Sequence, residues 1–163
     1  MIKAFQFYLR TVFTGLLDSR TDIIYFMTDV YLTNTFTNQW NVDFGPKLGE
    51  LLEQNKLNCY IPYRDTNQKE TEDEIFEQDM KGIESSKVLL AVAENESVNW
   101  GAEIGYAYKL GIPIIALKKN NHSIPLICKK MTSKILEVED LDNFEVYIKD
   151  LVLDIKSFIE TKV

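Results

Sequence analysis

Ser97-Val98-Asn99-Trp100-Gly101-Ala102-Glu103-Ile104-Gly105-Tyr106-Ala107 decides how the rest of the chain is read. It follows the apolar run Val88-Leu89-Leu90-Ala91-Val92-Ala93, which has the makeup of a buried strand. It opens a helix that stops at Gly111, just before Pro113. A strand, a polar loop and a helix start form the crevice where open α/β sheets bind ligands, beyond the carboxyl ends of the strands. The spacing puts Glu103 in the first turn of that helix, where unpaired N–H groups and the macrodipole favour an anion. A carboxylate there is a candidate nucleophile or base; the plainer reading is an acid that only complements the dipole. Gly101 and Gly105, four apart, share a helix face that a strand or ligand can approach closely.

Strand and helix alternate on either side of this stretch. Ile23-Ile24-Tyr25-Phe26-Met27 reads as the first core strand. The polar loop expected over residues 28–38 faces the crevice and brings Asp29 and Tyr31 to it, although Asp29 reads equally well as a turn or cap residue. A helix starting near Gln39 or Pro46 runs to Asn55, with Leu48, Leu51 and Leu52 inward. Residues 58–62 form the second strand, and Tyr63-Arg64-Asp65-Thr66-Asn67-Gln68-Lys69 is a polar loop at the same edge. Thr71-Glu72-Asp73-Glu74 has the capping-box pattern and starts a helix with Ile75, Phe76, Met80 and Ile83 inward. Asp79 is four residues from both Ile75 and Ile83 and shares their side. A carboxylate there costs several kcal/mol unless it is partnered or lines a cavity, so Asp79 is the second candidate acid, with an ion-paired helix edge as the plainer reading.

Residues 113–117 form the fourth strand, 124–131 a short helix and 135–138 the fifth strand. Asp142 is placed to cap a last helix through Ile159. This is the pattern of a parallel sheet covered on both faces, in one domain over residues 21–163. Residues 1–20 are an N-terminal extension. Ile2, Phe5, Leu9, Val12, Phe13, Leu16 and Leu17 make one apolar helical face, too short and too interrupted by charge to span a membrane. Its expected place is on its own domain or on a partner subunit, with a membrane surface the remaining reading.

Composition narrows the function. With 45% hydrophobic and 26% charged residues the chain reads as a globular protein. A net charge of -7 without a Lys/Arg stripe argues against nucleic acid as the partner and leaves small molecules. Cys59 and Cys128 are far apart, without metal-ligand spacing, and fit buried thiols in a reducing cytoplasm. His122, the single histidine, sits in a polar loop and reads as solvated rather than as a triad base.

The run Phe76-Glu77-Gln78-Asp79-Met80-Lys81-Gly82-Ile83, an apolar strand, and Gly101-Ala102-Glu103-Ile104-Gly105-Tyr106-Ala107 together resemble the nucleoside 2-deoxyribosyltransferase family, over about residues 23–118. Tyr25 and Phe26 look similar to that family's opening strand. The resemblance implies a flavodoxin-like, doubly wound parallel sheet of five strands, here with an extra N-terminal amphipathic helix. It implies that Glu103 attacks C1′ of the sugar and that Asp79 lies at the base and protonates it as it leaves. Such enzymes need no metal or organic cofactor, and they are oligomers whose sites borrow residues across subunits, so a homo-oligomer is expected. Substrate contacts are expected from Tyr25, Asp29, Asp65, Asn67, Ser97, Asn99 and Gly101. The resemblance implies a nucleoside or its 5′-monophosphate as substrate.

Two departures from the family bear on that choice. Transferases carry an aspartate six residues before the glutamate, at the sugar 5′-hydroxyl, and here that position is Ser97. A serine there is similar to the related 2′-deoxynucleoside 5′-monophosphate N-glycosidases. Those enzymes have a glycine-rich loop after the first strand, whereas this chain has Met27-Thr28-Asp29-Val30. A second resemblance is to TIR domains, through the spacing of Ser97, Trp100 and Glu103 and through Arg64-Asp65, which would imply an NAD glycohydrolase or a signalling module.

Overall fold

The computed structural model describes residues 28–161. The helix expected over residues 1–20, the strand expected at 23–27, and Tyr25 lie outside them. In chain order the elements are β1 (Thr28–Thr33), α1 (Gln39–Gln54), β2 (Cys59–Tyr60), α2 (Pro62–Asp65), α3 (Glu72–Glu84), β3 (Ser86–Ala93), α4 (Val98–Lys109), β4 (Ile114–Lys119), α5 (Leu126–Met131) and β5 (Lys134–Val138). A 3-10 turn (Phe144–Tyr147) then leads into α6 (Ile148–Glu160). The five strands are parallel in the order β2-β1-β3-β4-β5, the flavodoxin-like arrangement.

Strand alternation sorts the core into two layers. Val30, Leu32, Leu90, Val92 and Leu117 face one side, under Phe44, Leu48 and Leu52 of α1 and Leu151 and Ile155 of α6. Tyr31, Leu89, Ala91 and Ala116 face the other, under Ile83 of α3 and Trp100, Ile104 and Ala107 of α4. Because α1 and α4 leave β1 and β3 toward opposite faces, the strand order reverses between these two strands, and the crevice opens there.

Several sequence expectations change. The loop expected over 28–38 is largely strand: residues 28–33 pair with both β2 and β3. Val30, Tyr31, Leu32 and Thr33 suit a strand, and the polar Thr28 and Asp29 are accommodated at its amino end. Pro46 lies inside α1, which is carried by its Asn38 cap and by the burial of Phe44, Leu48 and Leu52. The capping box at Thr71 and Glu74 is present. Phe76, expected inward, is 60% exposed, since α3 buries only the side that carries Gly82 and Ile83. Asp142 does not cap the last helix; its Oδ1 accepts from Trp40 Nε1, and the 3-10 turn intervenes. His122 is not free in solvent: its Nε2 lies 2.7 Å from Glu96 Oε1, joining the loops after β3 and β4. Cys59 is a buried free thiol, as expected, whereas the free thiol Cys128 is only partly buried. Among the described residues no helix is long and apolar enough to cross a membrane, and no group of His, Cys, Asp or Glu is arranged to hold a metal.

Candidate active site

Helix α4 begins at Val98, with Ser97 as its N-cap accepting from Trp100 N at 3.2 Å. Glu103 is therefore in the second turn, not the first. The helix dipole is no account of this acid, because its field fades beyond the first turn. What Glu103 faces is the α3/α4 side of the sheet. Tyr31 Oη donates to Glu103 Oε1 at 3.3 Å. Thr33, two residues further along β1 and on the same strand face, presents a buried hydroxyl that lowers the Glu103 pKa without making a hydrogen bond of normal geometry.

Glu103 is pushed from an ordinary 4.5 up to about 7, first by burial and further by the negative charge of Asp79. Asp79 is half-buried on α3 and is also raised, by burial, against the opposing effect of its hydrogen bond from Thr66. Tyr31 is raised by burial and by both acids, which keeps its phenol protonated as a donor. Two acids with raised pKa values therefore share one polar floor on the α3/α4 side of the sheet with a neutral tyrosine. Sites with this composition carry acid–base and nucleophilic chemistry more often than structural ion pairs, which lower carboxyl pKa values.

The tyrosines of this floor are held by a close approach. Tyr31 and Tyr60 stack with ring centroids 5.5 Å apart, and a Cβ on Gly82 would stand 2.9 Å from the Tyr60 ring and 3.1 Å from Tyr31. Gly82→Ala is expected to destabilise the fold by about 1–3 kcal/mol, read from the denaturant midpoint, and to cut activity by displacing Tyr31. Among the described residues no strand or side chain approaches Gly101 or Gly105 closely. A Cβ at Gly101 would make ordinary contact with Cys128 Sγ at 3.9 Å, and one at Gly105 would meet nothing within 4 Å.

The structure brings Asp79, Glu103 and Tyr31 together and separates them from Asp29. That carboxylate lies at the amino end of β1, away from the crevice, bound to Lys87 Nζ at 2.8 Å and to Asn58 N at 2.9 Å. Asp65 is taken up by its own helix, accepting from Ile61 N and from the Arg64 guanidinium. Asn67 is exposed beside α3, donating to Gln78 Oε1 through its backbone and to Glu70 through its side chain. Asn99 is exposed in the first turn of α4. Thr66 and Tyr60, not singled out from the sequence, belong to the cluster through Asp79. A cleft of about 350 Å³ opens at the same edge of the sheet, lined by Asn38, Trp40, Glu94, Asn95, Lys119 and Asp142; neither acid lines it.

The model of the nucleoside 2-deoxyribosyltransferase family matches residues 30–152. The chain belongs to this family. The match begins at Val30, within β1, and Tyr25 and Phe26 precede it. Family members act on the N-glycosidic bonds of nucleosides or nucleotides, and this chain is an enzyme of that kind. No curated protein sequence matches the chain. Three solved structures share the fold at low identity. A conserved protein from Enterococcus faecalis is 19% identical, with a TM-score of 0.65 over 80% of this chain and 98% of that one. A 2-deoxyribosyltransferase from Bacillus psychrosaccharolyticus is 17% identical, with a TM-score of 0.59 over 72% of this chain and 90% of that one. The CMP N-glycosidase of Clostridium botulinum is 16% identical, with a TM-score of 0.56 over 76% of this chain and 97% of that one.

Proposed function

We propose that this enzyme cleaves or transfers the N-glycosidic bond of a nucleoside or its 5′-monophosphate, with Glu103 as nucleophile and Asp79 as general acid. The observation that carries this reading is the pairing of two raised carboxyls on one floor, with Tyr31 fixing Glu103 Oε1. A Glu103 oxygen attacks C1′ and forms a C–O bond. The C1′–N bond breaks, its electron pair passes to the base, and the proton on Asp79 neutralises the ring nitrogen. Water or the nitrogen of a second base then attacks C1′, returns its proton to Asp79, and releases the Glu103 carboxylate. Charge develops at both ends of the breaking bond, and in this reading one carboxyl serves each end.

Attack requires ionised Glu103, whose pKa in the free protein is about 7. The rate constant kcat/KM should therefore rise with pH up to about 7 and fall tenfold per pH unit below it. An acid limb near the ordinary value of 4.5 would show that burial does not govern the nucleophile. The direct test is separate incubation with a 2′-deoxynucleoside, its 5′-monophosphate and NAD, measuring free base by chromatography. Base from either of the first two supports the assignment. Nicotinamide release from NAD alone would favour the TIR-like reading of Ser97, Trp100 and Glu103.

A further inference from the structure

Thr66, in the connection between α2 and α3, is only 4% exposed, although its neighbours Asp65 and Asn67 are exposed. Its Oγ1 lies 2.5 Å from Asp79 Oδ1 and 2.7 Å from Tyr60 Oη, and Tyr60 Oη lies 3.4 Å from the Gln78 carbonyl. Among the described residues no hydrogen bond reaches Asp79 Oδ2.

Each hydroxyl carries one proton, so this row of groups can be ordered in two directions. With Oδ1 unprotonated, Tyr60 donates to Thr66 and Thr66 donates to Oδ1. With a proton on Oδ1, Asp79 donates to Thr66, Thr66 to Tyr60, and Tyr60 to the Gln78 carbonyl. In both orders the buried Thr66 hydroxyl keeps a donor and an acceptor, which a buried polar group requires. The first order leaves Oδ2 free to carry the proton that a ligand receives.

We infer that Thr66 is a positioning residue for Asp79, fixing its carboxyl through Oδ1 and leaving Oδ2 to exchange the proton with the departing base. The inference rests on Asp79 being the general acid. The titratable groups facing this carboxyl are Tyr31 on β1, Tyr60 on β2 and Glu103 on α4. Among the described residues none is a cation, and the Thr66 hydroxyl opposes the effect of burial on Asp79. A hydrogen bond to the ionised form lowers a carboxyl pKa, and its removal raises it.

Thr66→Val keeps the side-chain volume and removes the hydroxyl, whereas Thr66→Ser keeps the hydroxyl. Both are made in the full chain, and the Asp79 side-chain carboxyl is titrated by carbon-detected NMR without ligand, beside kcat and KM for base release across pH. Thr66→Val is expected to move the Asp79 midpoint upward and lower kcat about tenfold with little change in KM, as loss of a hydrogen bond to a charged group does. Thr66→Ser is expected to restore both. An unmoved Asp79 midpoint in Thr66→Val, or a serine variant as impaired as the valine one, would overturn the inference. The titration needs no substrate and is readable even if the assigned reaction fails. A moved midpoint with unchanged base release would sustain the Thr66–Asp79 contact and remove Asp79 from the role of acid, which overturns the proton-exchange part of the inference.

Discussion

Glu103→Gln is expected to reduce kcat by at least about 10³-fold while leaving substrate binding within a few-fold of wild type. An amide has nearly the shape of the carboxyl but is a far poorer nucleophile, and it still accepts from Tyr31 Oη through its oxygen. Retention of more than a tenth of wild-type turnover would exclude Glu103 as the attacking group. Stability supplies a second, independent readout. The folded pKa of Glu103, about 7, lies above its ordinary 4.5, so between those values the folded protein holds a proton that the unfolded chain has lost. Stability contributed by this group is therefore present at low pH and lost as pH rises through about 7. Glutamine does not ionise and escapes that loss. The stability of the variant relative to wild type should grow between pH 4.5 and 7 in denaturant titrations, and a constant difference would mean that Glu103 is not desolvated as described.

The site is legible in the sequence to the extent that its parts are local. The Glu103 run, the capping box before Asp79 and the strand between them each follow from short-range patterns, and the parallel sheet follows from their alternation. What the sequence conceals is register. A loop over 28–38 makes Tyr31 a loop residue and brings Asp29 to the crevice. With the strand at 28–33, period-two alternation puts Tyr31 and Thr33 on the Glu103 face and leaves Asp29 paired with Lys87 at the far end. Thr28 and Asp29 open this segment with two polar residues, so composition alone reads it as a loop. Thr66 was hidden for a different reason. Its neighbours are polar and exposed, and only the packing of α3 against β1 and β2 shows that its hydroxyl is buried against Asp79.

Asp79→Asn is expected to slow cleavage by about 10²–10⁴-fold for bases that leave poorly, and much less for bases that leave well. The asymmetry follows from what the substitution removes. Asparagine can still accept from Thr66 through its side-chain oxygen, so the positioning contact survives, but no proton remains to neutralise the departing ring nitrogen. A base that carries negative charge easily needs little help, and its cleavage is then governed by attack of Glu103. The substitution also removes a negative charge that raises the Glu103 pKa, so the acid limb of the pH profile should move below about 7 in the variant. This shift makes more of the nucleophile available at neutral pH and partly offsets the loss for good leaving groups, which widens the contrast between the two substrate classes. The measurement is kcat across a series of nucleosides whose bases differ in acidity, each followed across pH. Equal losses along the series would mean that Asp79 positions the base without protonating it, and an unmoved acid limb would mean that the two carboxyls do not interact.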